Sequence, residues 1–189
     1  MRFRSGLLIG IFGLVVVLLG GWFFTFATAL LTYLALLEFF RMAEFKGIKP
    51  ATKTTLFSSS AIIFCTYLET IGLVEGEISN SILPICSVGI CTWLLLQPKP
   101  GTISDIAASI FGLFYLGFLP SYWIKLRGLD SVIISSNQGF ISFENLSNTI
   151  GLHLTLTSCF LIVASDIGSY FIGKSFGKKS LSPISPGKT

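Results

Sequence analysis

Long uncharged apolar runs, each the length of a helix, alternate along the chain with short polar segments. From Leu7 to Leu37 no charged residue occurs. Further apolar stretches cover Leu56 to Leu73, Ile78 to Leu96, Ile106 to Tyr122 and Ile150 to about Ile172, divided by charged or turn-rich segments. A bilayer core of roughly 30 Å takes about 20 helical residues at 1.5 Å each. The 31 residues of the first run would reach about 46 Å, too far for one crossing. Two spans hinged at Gly20-Gly21 fit better, so the pattern predicts six transmembrane helices.

Charge placement tests that hinge, because Lys and Arg concentrate in cytoplasmic loops. With the N-terminus inside, Arg2, Arg4, Arg41, Lys46, Lys49, Lys53, Lys99, Lys174, Lys178, Lys179 and Lys188 share one side and only Lys125 and Arg127 lie on the other, a split of 11 to 2. Treating Leu7 to Leu37 as one crossing gives 9 to 4, a weaker bias. Arg2 and Arg4 before an apolar run also resemble the start of a signal peptide, but no small-residue cleavage site follows, so the segment is expected to remain as an anchor. Trp123 to Thr149 reads as an external loop.

Composition agrees. The 189 residues are 52% hydrophobic and 12% charged, with a mean hydropathy of +0.80, which excludes both a water-soluble domain and a disordered chain. The fold class is therefore all-α: a polytopic integral membrane protein, one transmembrane domain over 1–189, ending in a basic cytoplasmic loop. A net charge of +4, dispersed along the chain, offers no nucleic-acid surface. Cys65, Cys86, Cys91 and Cys159 lie within apolar stretches without C-x-x-C pairing and are read as small hydrophobes. Lone His153 has no Cys or carboxylate near it in sequence, which gives little support to a metal or proton-relay role.

Carboxylates within the spans are the first chemical candidates, since a charge near the bilayer centre costs about 3 kcal/mol or more without a partner or water. Glu38 precedes Arg41 by three residues, so a helix-surface ion pair explains it. Glu69, near Glu75 and Glu77, can extend to the interface. Asp166 differs, because Ser169, Tyr170 and Gly173 follow at i+3, i+4 and i+7 and share its helical face. Beyond that polar face come Lys174, Gly177, Lys178 and Lys179, then Ser182 to Thr189 with two Ser-Pro turns and Lys188. Lysines attract phosphate oxygens, and a carboxylate beside such a segment suggests Mg²⁺ between them. Residues 166–189 are thus expected to form a cytoplasmic-side nucleotide- or phosphate-binding segment. Gly168 to Ser175 matches G-x-x-x-x-G-K-[ST], yet a P-loop joins a strand to a helix, whereas this stretch closes an apolar span.

The run D-I-G-S-Y-F-I-G-K-S-F-G-K-K-S-L-S-P-I-S-P-G-K-T, Asp166 to Thr189, resembles a segment of the bacterial phosphatidate cytidylyltransferases (CDP-diacylglycerol synthases), approximately D-x-x-A-Y-x-x-G-[RK]-x-F-G-K-x-x-L-[SA]-P-x-[IV]-S-P-x-K-T-x-E-G. Ser169 stands where that family has Ala or Gly, and one residue fewer precedes the second Ser-Pro. The Gly-Gly hairpin and Glu38-Phe39-Phe40-Arg41 are similar to the family's N-terminal region. The resemblance implies cytidylyl transfer from CTP to phosphatidate, giving CDP-diacylglycerol and pyrophosphate at a bacterial inner membrane, with the site on the cytoplasmic side. It implies Asp166 and Lys188 as catalytic groups, Asp166 as the Mg²⁺ ligand, and Ser169, Tyr170, Lys174, Lys178, Ser185 and Thr189 as substrate-binding residues. Its implied partners are CTP, phosphatidate and the bilayer, with a homodimer among the assemblies it allows. The family's K-R-x-x-x-x-K-D signature does not occur here, so this chain is expected to be a truncated form, inactive by itself. A CTP-dependent polyprenol or phytol kinase is the alternative enzyme, and a small transporter or assembly protein the alternative without catalysis.

Overall fold

A computed structural model describes residues 2–74, 76, 78–129 and 150–176, and among these every regular element is helical. In order they are α1 (Arg2–Leu19), α2 (Gly21–Phe45), α3 (Thr52–Thr70), α4 (Ile78–Leu95), α5 (Ile103–Phe111), a π-helix (Gly112–Phe118), α6 (Ser121–Arg127) and α7 (Ile150–Phe176).

The expected hinge lies where two glycines break the first apolar run. Gly20 adopts φ 60 and ψ −157 and Gly21 adopts φ 49, conformations that residues with a Cβ rarely take. The carbonyls that α1 leaves unpaired at its end are met by Arg127, whose Nε donates to Val17 O at 2.9 Å and Nη2 to Leu18 O at 3.4 Å. A cation suits that negative helix end.

α3 is the central helix, packing against α2, α4, the π-helix and α6. Its packing face includes Thr55, Ser58, Ser59 and Thr66 beside Ile62, Ile63 and Tyr67, all buried. Three hydroxyls on this helix are satisfied within it, Ser60 donating to Leu56 O at 3.0 Å, Thr66 to Ile62 O at 2.8 Å and Thr70 to Thr66 O at 2.7 Å. Small residues let backbones approach closely, as expected for helix packing in lipid. A Cβ on Gly117 would meet Ser59 Oγ at 3.0 Å, and one on Gly112 would meet Phe40 Cζ at 3.0 Å. One cluster, with Ile62, Ile90, Leu94, Leu113 and Phe118, joins α3, α4 and the π-helix. A second, with Phe24, Ile63, Tyr67 and Ile124, joins α2, α3 and α6.

By length and composition, four helical stretches can cross a membrane: Gly21–Phe45, Ile78–Leu95, the continuous Ile103–Arg127 and Ile150–Ser175. α1 contributes a shorter apolar stretch, Leu8–Leu19. α3 lies outside the set because Lys53, Glu69 and its many Ser and Thr lower its hydropathy. Each expected span falls on a helix, and the count of six rests on adding α1 and α3. The second span runs on from Leu37 to Phe45, and the fifth moves at both ends. The fifth span extends from Ile106–Tyr122 to Ile103–Arg127, so Trp123 to Arg127, expected in the external loop, are helical. Positions 130–149, the rest of that loop, lie outside the described residues, as do Glu75 and Glu77.

Candidate functional site

Polar residues gather at both ends of the bundle. At the end marked by Arg127, Glu69 closes α3 onto α4 and α6. Its side chain, 9% exposed, lies 3.3 Å from Lys125 Nζ, accepts from Ser79 Oγ at 2.9 Å, and accepts the Ser79 backbone N–H in the first turn of α4. Glu69 is therefore held inside the fold rather than extended to the interface. The two positive charges that stood apart in the sequence, Lys125 and Arg127, thus both have structural partners. α7 begins at the same place, since a Cβ on Gly151 would meet Arg127 O at 2.6 Å.

At the opposite end the key residue is Asp105, which sequence reasoning passed over. Thr102-Ile103-Ser104-Asp105 forms a capping box at the start of α5. One carboxylate oxygen of Asp105 accepts from Thr102 N at 2.7 Å, and the other accepts from Lys49 N at 2.6 Å. One turn on, Ser109 Oγ accepts from Ala51 N at 2.9 Å and donates to Asp105 O at 2.7 Å. The segment joining α2 to α3 is thus pinned to α5 by buried side chains, while Lys46, Lys49 and Lys53 remain exposed. The Thr-x-x-Asp spacing was the available signal.

Asp166 stands apart from both clusters. It lies on the second half of α7, whose packing against α6 and α1 occurs at the other half. The helix confirms that Asp166, Ser169, Tyr170 and Gly173 share a face: the first three are exposed and Gly173 half-buried, with Lys174 exposed just beyond. Ser169 Oγ donates to Asp166 O at 2.9 Å, so that hydroxyl is engaged by its own helix. Tyr170 packs edge-on against Phe171. The Gly168 to Ser175 stretch is continuous helix, which removes the P-loop reading. Lys178, Ser185, Lys188 and Thr189 lie outside the described residues. No ion pair joins Glu38 to Arg41 among the described residues, and both are exposed. The expected explanation of Glu38 is thereby lost. Among the described residues no three metal-ligating side chains converge. Asp166 alone still fits Mg²⁺, an ion commonly held by one or two carboxylates together with substrate phosphates.

The sequence profile described as the cytidylyltransferase family matches residues 1–189. The chain belongs to that family. A phosphatidate cytidylyltransferase of Synechocystis is 41% identical over 180 residues, covering 91% of this cytidylyltransferase-family chain and 59% of the relative. The chloroplastic phosphatidate cytidylyltransferase 5 of Arabidopsis thaliana is 35% identical over 195 residues, covering 100% and 49%. The phosphatidate cytidylyltransferase of Bacillus subtilis is 27% identical over 192 residues, covering 100% and 63%. This family member thus spans about half to two-thirds of the length of the curated relatives it matches. No solved structure matches it.

Proposed function

We propose that the natural gene product carrying this chain transfers the cytidylyl group of CTP to phosphatidate, forming CDP-diacylglycerol and pyrophosphate at the cytoplasmic face of a bacterial inner membrane, and that residues 1–189 by themselves do not. The observation that carries the reading is the family match over all 189 residues, joined to relatives that bear this activity in their names at 35–41% identity. A phosphatidate oxygen attacks the α-phosphorus of CTP, the bond from that phosphorus to the α–β bridging oxygen breaks, and pyrophosphate departs. The acceptor is already anionic at neutral pH, so alignment and charge relief matter more than a strong base.

Asp166, at the head of an exposed polar helical face, is assigned to orient the substrate phosphates. Lys174, two turns further, meets phosphate oxygens as a point charge. Mg²⁺ held at Asp166 would neutralise the gathering phosphates. Ser169 is reassigned from substrate contact to shaping the helix, because its hydroxyl is spent on Asp166 O. Lys178, Ser185, Lys188 and Thr189 complete the proposed phosphate-binding segment, with Lys188 as the second catalytic group. Two copies of the chain in a homodimer are compatible with this arrangement.

The test is incorporation of labelled CTP into chloroform-soluble lipid by membranes carrying the natural gene product, in a host depleted of its own synthase. Wild type supports incorporation, and Asp166→Asn inserts normally but loses at least about a hundredfold, a typical loss for a group that stabilises developing charge. Absence of incorporation by wild type overturns the function, and unchanged turnover in Asp166→Asn overturns the assignment of that residue.

A further inference from the structure

An apolar groove of about 360 Å³, within the size range of small-molecule sites, lies between α2 and α7 with the π-helix and α6 as its floor. Phe24, Thr28, Leu31 and Ala35 line it from α2, Leu116 and Trp123 from the floor, and Cys159 from α7. Thr28 and the buried Thr32 bring the only hydroxyls among the lining residues, and that of Thr28 is spent on Phe24 O at 2.8 Å. Nothing among these side chains is charged, so the groove suits hydrocarbon and not a headgroup. From Phe24 to Ala35 it runs for about 16 Å along α2, close to half of a bilayer core and thus to the depth of one leaflet's acyl chain.

The same helical faces lead out of the groove to charge. On α2 the lining positions 24, 28, 31 and 35 continue at helical spacing to Glu38, and on α7 Cys159 continues seven residues on to Asp166. Both helices start at Arg127, which touches Gly20 and Gly151. Glu38 lies 17 residues from Gly21 and Asp166 lies 16 residues from Ile150, which puts both about 24–26 Å from that shared start. By helical rise the two carboxylates therefore lie about equally far along their own helices from Arg127, each beyond the groove-lining positions of its helix.

We propose that this groove takes an acyl chain of the lipid substrate, so that its phosphate is delivered to the level of Asp166 and Glu38. The proposal rests on the lipid-acceptor reading above and adds where the acceptor's chain is held. Glu38 thereby becomes a positioning residue for the acceptor headgroup, acting with a cation or lysine between carboxylate and phosphate.

The test separates the substrate's chain from bulk lipid. Membranes carrying the natural gene product receive phosphatidate or phosphatidylcholine with the same diazirine-bearing acyl chain, and cross-linked residues are mapped by mass spectrometry. Phosphatidate is expected to label Leu116, Trp123 or Cys159 about tenfold more than phosphatidylcholine does, the difference that one charge-assisted headgroup contact supplies. Leu31→Trp at the groove lip, exposed in the fold, and Ala35→Trp within it should both abolish that excess, while Leu34→Trp on another face of α2 should leave it intact. Equal labelling by the two lipids, absent labelling, or an excess that survives both Trp variants overturns the groove. CTP incorporation by the same membranes reports on the catalytic reading separately, so turnover without phosphatidate-selective labelling defeats this inference alone.

Discussion

Gly20 offers a sharp test of how the first apolar run is broken. Its φ of 60 and ψ of −157 fall in a region almost confined to glycine, where another residue pays about 1–3 kcal/mol. A Cβ there would also meet Arg127 Nη2 at 2.8 Å and Cζ at 3.0 Å, so alanine must push the guanidinium from the carbonyls of Val17 and Leu18. Polar contacts within membranes average about 0.6 kcal/mol and reach about 1.7, so two such losses bring Gly20→Ala to roughly 2–6 kcal/mol. At about 2–4 °C per kcal/mol for a chain of this size, the apparent melting temperature in detergent should fall by roughly 4–24 °C. Gly21 is the control: its φ is 49 and a Cβ would meet nothing within 4 Å, so Gly21→Ala should cost only the backbone term, about 1–2 kcal/mol. In an Arg127→Ala background the penalty of Gly20→Ala should shrink towards that value, because the partner it displaces is gone. Equal melting temperatures for the two glycine variants, or strict additivity with Arg127→Ala, would refute the reasoning.

Three further expectations follow from the polar clusters. Asp105→Ala should free the segment joining α2 to α3 and raise tryptic nicking after Lys46 by about tenfold or more, since two carboxylate bonds and a capping box are lost together; an unchanged nicking rate counts against the pin. Glu69→Gln should lower the melting temperature more than Lys125→Met does, because Glu69 also holds Ser79; the reverse order would make the ion pair the dominant contact. In intact cells of a variant without native cysteines, Lys46→Cys and Lys99→Cys should resist an impermeant thiol reagent while Leu129→Cys reacts, and the opposite pattern would invert the proposed orientation.

What the sequence made legible was set by hydrophobic length and charge. Each apolar run is a helix, and Gly20-Gly21 is a break, because spans of uncharged residues and paired glycines have few other readings in a membrane protein. The face carrying Asp166, Ser169, Tyr170 and Gly173 followed from helical spacing alone, and α7 carries it. The fate of single polar side chains was not legible. Glu69 meets Ser79 ten residues on, and Arg127 meets Val17 across 110 positions. Such partners are fixed by how helices dock, which local pattern does not encode. The role of α3 was hidden for a related reason: its Ser and Thr lower hydropathy, yet those small residues are what let the π-helix and its neighbours pack closely against it.

The carboxylates of the helices sort by what their neighbours already ask of them. Glu69 and Asp105 are shielded, and their oxygens are taken by Ser79 and Lys125 in one case and by Lys49 and Thr102 in the other. Replacing either is expected to damage the fold before it touches any reaction, because a buried donor left unpaired costs about 1–3 kcal/mol. Glu38 and Asp166 are exposed, and no described contact consumes either carboxylate. In a bilayer such groups persist only with water, a cation or a partner supplied from outside the helix. Both lie beyond the groove-lining positions of α2 and α7, where the proposed acyl-chain site would bring a lipid phosphate. On the proposed function, stability and chemistry are carried by different acids, so Asp166→Asn and Glu38→Gln should reduce turnover at an unchanged melting temperature, whereas Asp105→Ala and Glu69→Gln should lower the melting temperature first.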